Sequence, residues 1–231
     1  MERWRDTNVQ DLSIIIDELR EEMIQTLKGW IQVPSVKTAP EPGAPFGREV
    51  RRALDLVLSD AAAMGFETRN FDGYAGDVRM GPLGVDPLAI LVQLAVVPAG
   101  DGWTVPPFAA EIEDGRMYGR GMSDDKGPAA AALYAMYAMK KAGLPLKREV
   151  RLIFGCDEES GWECMKYYMA HCDMPRTGFS PDASYPVINT EKGICTIGLS
   201  AELPGEAGAE YPVYSVEAGE RHNVVPGMAY A

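Results

Sequence analysis

Apolar residues near the start of the chain recur at three- or four-residue intervals, which is the spacing of one helix face. Over 12–31 this spacing predicts an amphipathic helix that begins at Asn8 or Asp11 and ends before Pro34. The same spacing over 48–64 predicts a second amphipathic helix. Both helices should therefore bury one face and leave the other in solvent.

Continuous apolar runs predict the central strands. The run at 87–97 (PLAILVQLAVV) is apolar at nearly every position, which is typical of a strand buried on both faces. Asp114-Gly115 lies between two short β-like runs and predicts a hairpin. The remaining pattern predicts strands at 66–71, 151–155, 185–189 and 194–199 and helices at 127–142 and 161–171. This alternation predicts an α/β fold, with a layered, mixed and largely parallel sheet flanked by helices.

The composition excludes several classes of protein. A formal net charge of −12 argues against a nucleic-acid partner, because proteins meet phosphates with Lys and Arg. No apolar run reaches transmembrane length, and the first residues lack the apolar core of a signal peptide, so we expect a cytoplasmic protein without membrane contact. The cysteines form no CxxC pair, which favours free thiols.

Acidic residues cluster where predicted strands end or a predicted helix begins. Asp124 and Asp125 lie in the Gly-rich stretch 106–127, directly before a helix. Glu158 follows one buried run, as does its neighbour Glu159, and Asp182 comes after a later segment. Ligands of α/β proteins gather at the ends of parallel strands, so these acids could form one site. Loop acids that only cap helices or face solvent would give the same pattern.

The chemistry of such a site is open on the residues alone. Carboxylates suit a hard cation, and adjacent Glu158 and Glu159 could divide the work of general base and metal ligand. A glycosidase pair lacks any sign of the necessary separation between carboxylates. A phosphate-binding loop is not supported either, since no GK[ST] motif is present.

Four motifs carry a resemblance to a known family. These are VVPAGDGWTVPPFAAEIEDGRMYGRGMSDDKGPAAAALYA, RLIFGCDEESGW, GFSPDASYPVINTEKG and HNVVP. Together they resemble the M20 metallopeptidase family, in its bacterial dipeptidase branch. The resemblance implies a catalytic domain with a mixed sheet, a smaller α+β lid domain, and two zinc ions. It also implies hydrolysis of dipeptides or related N-acyl amino acids by metal-activated water.

The resemblance assigns roles to individual residues. Asp124 corresponds to the metal-bridging Asp, and its bond to Asp125 to the cis peptide of the family. Glu158 corresponds to the catalytic base, and Glu159 and Asp182 to further metal ligands. The lid would begin near residue 194, so we expect 1–195 to form an incomplete catalytic domain and 196–231 the start of the lid.

The sequence departs from the family pattern at the chemistry. Gln93 stands where the family has a ligand His, and Ala95 where it has a catalytic Asp. The two histidines of the chain, His171 and His222, match neither ligand His of the family. A site of carboxylates and one amide suits zinc poorly and Mn²⁺, Mg²⁺ or Ca²⁺ somewhat better.

Two functions are therefore expected. The first is a zinc-dependent dipeptidase, represented by its N-terminal part only, whose activity is impaired by Gln93 and Ala95. Its partners would be small peptides or N-acyl amino acids. The alternative is a catalytically inactive family member that acts as a binding or assembly partner, through self-association or a complementing chain.

Overall fold

The computed structural model describes residues 3–184, 187–190, 192–193, 195, 197–200, 215–219 and 229–230. The chain divides into two compact units, Met1–Tyr185 and Pro186–Ala231. In the second unit, strand β8 (Glu217–Ala218) pairs antiparallel with β9 (Ala229–Tyr230). The expected boundary between a catalytic domain at 1–195 and a lid at 196–231 stays a prediction.

The first unit contains the other regular elements. Its helices are α1 (Arg3–Ile31), α2 (Arg48–Ala63), α3 (Lys126–Lys141) and α4 (Glu163–His171). Its strands are β1 (Glu67–Phe71), β2 (Ala75–Met80), β3 (Leu88–Gln93), β4 (Glu111–Glu113), β5 (Arg116–Tyr118), β6 (Val150–Gly155) and β7 (Thr177–Phe179). No helix in the described part of the chain is long and apolar enough to cross a membrane.

Five strands form the central sheet, in the order β1-β2-β6-β3-β7. β3 pairs parallel with both β6 and β7, whereas β2 pairs antiparallel with both β1 and β6. Four of the five strands therefore run in one direction, and β2 alone is reversed. This confirms the predicted α/β fold with a mixed, largely parallel sheet. The predicted hairpin is also confirmed, because β4 and β5 pair antiparallel on either side of Asp114-Gly115.

Helices cover both faces of the sheet, as two neighbouring residues of β2 show. A Cβ on Gly76 would meet methyl groups of Leu54 and Leu58 at 2.9–3.0 Å, so α2 packs closely on that face. The next residue, Asp77, accepts a hydrogen bond from the hydroxyl of Tyr168 in α4 at 2.8 Å. Because successive side chains of a strand point to opposite faces, α2 and α4 lie on opposite sides of the sheet.

The end of α1 anchors this helix to the same core. The Trp30 ring is buried and makes an edge contact with Phe154 of β6, with ring centroids 6.3 Å apart. Its indole N–H donates to a carboxylate oxygen of Asp60 in α2 at 2.7 Å, which satisfies the one polar atom of this side chain. The rest of α1 packs along α3. The segment that follows α1 then runs beside the end of β3, where Val36 bridges to Val96 and the hydroxyl of Ser35 donates to the carbonyl oxygen of Leu94 at 2.6 Å.

Some boundaries differ from the prediction. α1 begins at Arg3 rather than at Asn8 or Asp11, and 3–10 contains no proline or glycine that would stop a helix. β2 and β7 were not predicted. The predicted strands at 185–189 and 194–199 lie partly outside the described residues, and their described residues are not in strands.

Candidate functional site

The side-chain amide of Gln93 is the centre of a carboxylate cluster. Gln93 is the last residue of β3 and is only 2% exposed. Its Nε2 donates hydrogen bonds to Oδ1 of Asp124 at 2.8 Å, Oε2 of Glu158 at 3.1 Å and Oδ2 of Asp182 at 3.1 Å. The structure thus brings three of the four predicted acidic site residues onto one nitrogen atom. Below, these four side chains are called the Gln93 cluster.

The three carboxylate oxygens determine that the nitrogen of the Gln93 amide, and not its oxygen, faces them. The opposite orientation would place the carbonyl oxygen of Gln93 against three carboxylate oxygens, with no donor among them. An NH₂ group has two hydrogens, so three acceptors must share them. The oxygens bound by this nitrogen on Asp124 and Asp182 can be no more than about 6 Å apart. This agrees with the expectation that the acids form one site.

Topology explains why these residues meet. Gln93 ends β3, Glu158 follows β6, and Asp182 follows β7, and these three strands are parallel neighbours. Their carboxyl ends therefore open at the same edge of the sheet, where α/β proteins bind ligands. Asp124 arrives from the turn that leads into α3.

Asp125 lies under the cluster and is fully buried. Its Oδ2 accepts the backbone N–H of Gln93 at 3.0 Å, and its Oδ1 has no hydrogen-bond partner in the described structure. Burial raises the pKa of Asp125 to about 8, and the charges of Asp182, Asp124 and Glu158 act in the same direction. The peptide bond between Asp124 and Asp125 is cis, as the resemblance implied.

Asp182 experiences a similar environment. Burial, followed by the charge of Asp124, raises the pKa of Asp182, while its hydrogen bond from Gln93 acts in the opposite direction. Burial is the largest cause of both shifts, and the neighbouring carboxylates add to it because like charges disfavour one another's ionisation. The Gln93 cluster therefore holds several carboxyl groups that resist simultaneous ionisation, with a neutral donor at its centre.

Lys126 is next to the cluster in sequence but is directed elsewhere. Its ammonium group is buried and donates to the carbonyl oxygens of Trp30 at 2.9 Å and Val33 at 2.8 Å. Burial lowers the pKa of Lys126 to about 7. This side chain accordingly ties the start of α3 to the end of α1, and no hydrogen bond joins it to the cluster carboxylates in the described structure.

Asp157 organises the loop that carries Glu158. It is 1% exposed, and its carboxylate accepts hydrogen bonds from Lys37 at 2.6 Å, from the backbone N–H of Glu163 at 3.1 Å, and from Ser160. The sequence marked Asp157 only as part of an acidic run. Its place directly after a buried strand was the available signal, but its partner Lys37 lies 120 positions away.

We expect Asp157→Asn to destabilise the protein by about 1.5–3 kcal/mol, because a buried acceptor loses its charge opposite Lys37. Asp86→Asn is the matched control, since Asp86 pairs with Arg148 at the surface, and its effect should stay within about 0.5 kcal/mol. Urea unfolding followed by circular dichroism measures both. Equal losses in the two variants would contradict the organising role of Asp157.

The other predicted site residues lie as follows. Glu159 is half-buried beside Glu158, and its role as a ligand stays a prediction. Ala95 is buried, two residues beyond Gln93. His171 is exposed on α4, where its ring stacks on Tyr167 with centroids 4.1 Å apart. His222 lies outside the described residues.

Comparison with known proteins gives a family and a set of relatives. Residues 94–225 match the sequence profile described as "Peptidase family M20/M25/M40". A Bacillus subtilis (strain 168) protein named "Putative dipeptidase YtjP" is 43% identical over 215 residues, covering 92% of this chain and 46% of the relative. "Putative dipeptidase SH1171" of Staphylococcus haemolyticus is 38% identical over 220 residues, covering 94% and 47%. The chain thus spans about half the length of the curated relatives it matches.

Solved structures show the same fold. Human carnosine dipeptidase 1 superposes with a TM-score of 0.60 at 25% identity, over 68% of this chain and 36% of that protein. The dipeptidase Dug1p of Saccharomyces cerevisiae also superposes with a TM-score of 0.60, at 22% identity, over 69% of this chain and 37% of its own. The latter likeness concerns the fold alone.

Proposed function

Because this chain belongs to the M20/M25/M40 peptidase family, we propose that it carries part of a site that hydrolyses dipeptides or related N-acyl amino acids. The observation that carries this proposal is the convergence of Asp124, Glu158 and Asp182 at the carboxyl ends of three parallel strands. The names of the relatives support the reaction class, and each relative is about twice as long as the matched region.

Within that site we assign Glu158 as the general base. A half-buried carboxylate at the mouth of the cluster can accept a proton from a water that attacks the peptide carbonyl. Asp124, Glu159 and Asp182 are assigned to the positions of the metal ligands of this family and would be the residues to hold a metal if one bound here. A bound zinc ion would supply Lewis-acid activation of the water.

The site residues in the described part of the chain do not fit zinc. Catalytic zinc takes three protein ligands, usually including an imidazole, and no histidine reaches the cluster among the described residues. Nor are three or more His, Cys, Asp or Glu side chains of the described structure arranged to hold a metal ion. Mn²⁺, Mg²⁺ or Ca²⁺ would accept the oxygen ligands more readily, but the carboxylates are spaced around an amide nitrogen instead. We therefore propose that Gln93 and Ala95 impair turnover in this chain.

A catalytically inactive family member that serves as a binding or assembly partner is the second candidate. One observation favours it. The edge strand β7 has all three residues exposed, with Phe179 54% exposed, and its outer side pairs with no strand in the described structure. An open edge of this kind can pair with another chain.

The cellular setting follows from charge and thiol chemistry. We propose a cytoplasmic protein with small peptides as partners and without nucleic acid or membrane. The net charge of −12 supports the absence of a nucleic-acid partner. The free thiols of Cys156 and Cys164, both buried, support a reducing compartment.

A binding experiment tests the proposed function separately from turnover. The ammonium group of a free dipeptide complements the anionic cluster, so we expect calorimetry to detect dipeptide binding that weakens at least about tenfold on N-acetylation. Asp124→Asn should weaken binding of the free dipeptide by a similar factor. Glu111→Gln, which changes an exposed carboxylate on β4, is the control and should bind normally.

Chromatography of the same mixtures measures how much of the dipeptide is hydrolysed. We expect no hydrolysis above the blank by the unmodified chain. Hydrolysis that disappears in Glu158→Gln would keep the proposed function and refute the impairment. Absence of dipeptide binding together with a defined homo-oligomer would favour the assembly role.

A further inference from the structure

We propose that the amide of Gln93 takes the place of a cation, so that this site is held together by hydrogen bonds and has no metal requirement. The inference rests on the proposed function only in that it concerns the same site. Each side chain of the Gln93 cluster comes from a different segment, and Nε2 of Gln93 is the atom that all three carboxylates share. In a metal site, that shared atom would be the ion.

The distances distinguish a hydrogen-bonded cluster from a ligand set waiting for an ion. The separations of 2.8, 3.1 and 3.1 Å are those of N–H···O bonds. Carboxylate oxygens bind zinc at about 2.0–2.2 Å and calcium at about 2.3–2.6 Å. The carboxylates would have to leave the amide and draw together before they could share an ion. Every hydrogen bond to Gln93 therefore opposes metal binding.

The amide is also a poor ligand in the orientation it adopts. The nitrogen of an amide does not coordinate metals, since its lone pair is delocalised into the carbonyl group. The carbonyl oxygen could coordinate a hard cation, but Oε1 lies at the opposite end of the group from the nitrogen that faces the acids. This oxygen is buried and has no hydrogen-bond partner in the described structure. Turning it towards an ion would forfeit all three contacts of the nitrogen.

The burial of Gln93 makes the arrangement rigid. At 2% exposure the side chain is packed on all sides, and its backbone N–H is bound to Asp125. The donor is therefore placed among the acids by the fold itself and does not depend on a ligand from solution. An internal donor in this position gives a site that is preformed in the absence of metal.

The experiment measures zinc binding and thermal stability of the purified chain, in chelator and in added zinc. For the unmodified chain we expect the same melting temperature in both conditions. We also expect calorimetry to measure the same zinc binding, if any, in the unmodified chain and in Asp124→Asn. Zinc that binds equally to the unmodified chain and to Asp124→Asn is held elsewhere and agrees with the proposal.

Gln93→Met removes the donor and keeps the length and neutrality of the side chain. We expect this variant to melt roughly 4–8 °C lower in chelator, because three partly buried acceptors lose their shared partner. Gln93→His places a zinc ligand at the same position, and we expect calorimetry to detect a zinc site in this variant that the unmodified chain lacks. Gln25→Met, on the exposed face of α1, is the control for replacing an amide by a thioether and should melt like the unmodified chain.

Two results would overturn the proposal. One is a zinc site in the unmodified chain that is lost in Asp124→Asn. The other is a Gln93→Met variant as stable in chelator as the unmodified chain, because the amide would then not hold the cluster. Both readouts are independent of dipeptide binding and hydrolysis, so failure here is distinguishable from failure of the proposed function.

Discussion

Glu149→Gln should destabilise the protein by about 3–5 kcal/mol, because it breaks a buried ion network at one member. Glu149 is fully buried directly before β6, and its Oε1 accepts a hydrogen bond from Arg151 at 2.8 Å and lies 3.7 Å from a guanidinium nitrogen of Arg79. Its Oε2 accepts the backbone N–H of Gly84 at 2.6 Å. Glutamine keeps the shape but replaces one acceptor oxygen by a donor that faces Arg151 or Gly84, so the loss reports the charge and the lost acceptor together.

The pH dependence of this effect has a definite sign. Burial acts to raise the pKa of Glu149, but the hydrogen bonds from Arg151 and Gly84 and the charges of Arg151 and Arg79 outweigh it and lower the pKa. A lowered folded-state pKa contributes stability that is present above the unfolded value near 4.5 and is lost as pH falls through the folded value. The difference between wild type and Glu149→Gln should accordingly be full near neutrality and shrink below pH 4.5.

Urea unfolding at several pH values measures the difference. Glu67→Gln is the matched control, because Glu67 pairs with Arg69 at 3.0 Å on exposed β1 and should contribute less than about 0.5 kcal/mol. A Glu149→Gln variant within about 1 kcal/mol of wild type at neutral pH would show that the network does not stabilise the fold.

Gly127→Ala should destabilise the protein by at least about 3 kcal/mol, because the added methyl has no space. A Cβ at Gly127, in the first turn of α3, would lie 2.0 Å from the carbonyl oxygen of Met122. Backbone must move to relieve this clash, and the turn that moves carries Asp124 and Asp125. We therefore expect loss of the contacts of the Gln93 cluster together with the loss of stability.

Gly29→Ala makes the same substitution inside α1, where nothing lies within 4 Å of the added Cβ. It should stabilise the protein by about 0.5–1 kcal/mol, because Ala is favoured over Gly within helices. Chemical unfolding of both variants measures the contrast. A Gly127→Ala variant as stable as wild type would mean that the approach of α3 to Met122 is not tight.

Local patterns were sufficient for most helices and for the inner parallel strands. α2, α3, β3 and β6 lie where apolar spacing placed them, since burial of one face or of both faces leaves a periodic trace in sequence. The location of the acids at strand ends also followed from order along the chain, because parallel strands open at one edge.

The same reasoning failed at β2, for a physical reason. Its buried residues include Asp77 and Arg79, whose side chains pair at 2.6 Å inside the protein. Charged residues mark solvent exposure in a sequence pattern, and only their partners across the fold make them compatible with burial. β7 was missed because three exposed residues carry no periodicity.

The sequence by itself determined the α/β architecture and the acidic character of the strand ends, and its family resemblance predicted that the amide of Gln93 stands at the position of an imidazole. Only the tertiary structure decided what that amide does. Its contacts to Asp124, Glu158 and Asp182 join positions 31, 65 and 89 residues apart. Hydrogen bonds of this kind depend on the relative placement of strands rather than on neighbouring residues. A local pattern records whether a residue is buried, and the packed fold determines which atoms it meets there.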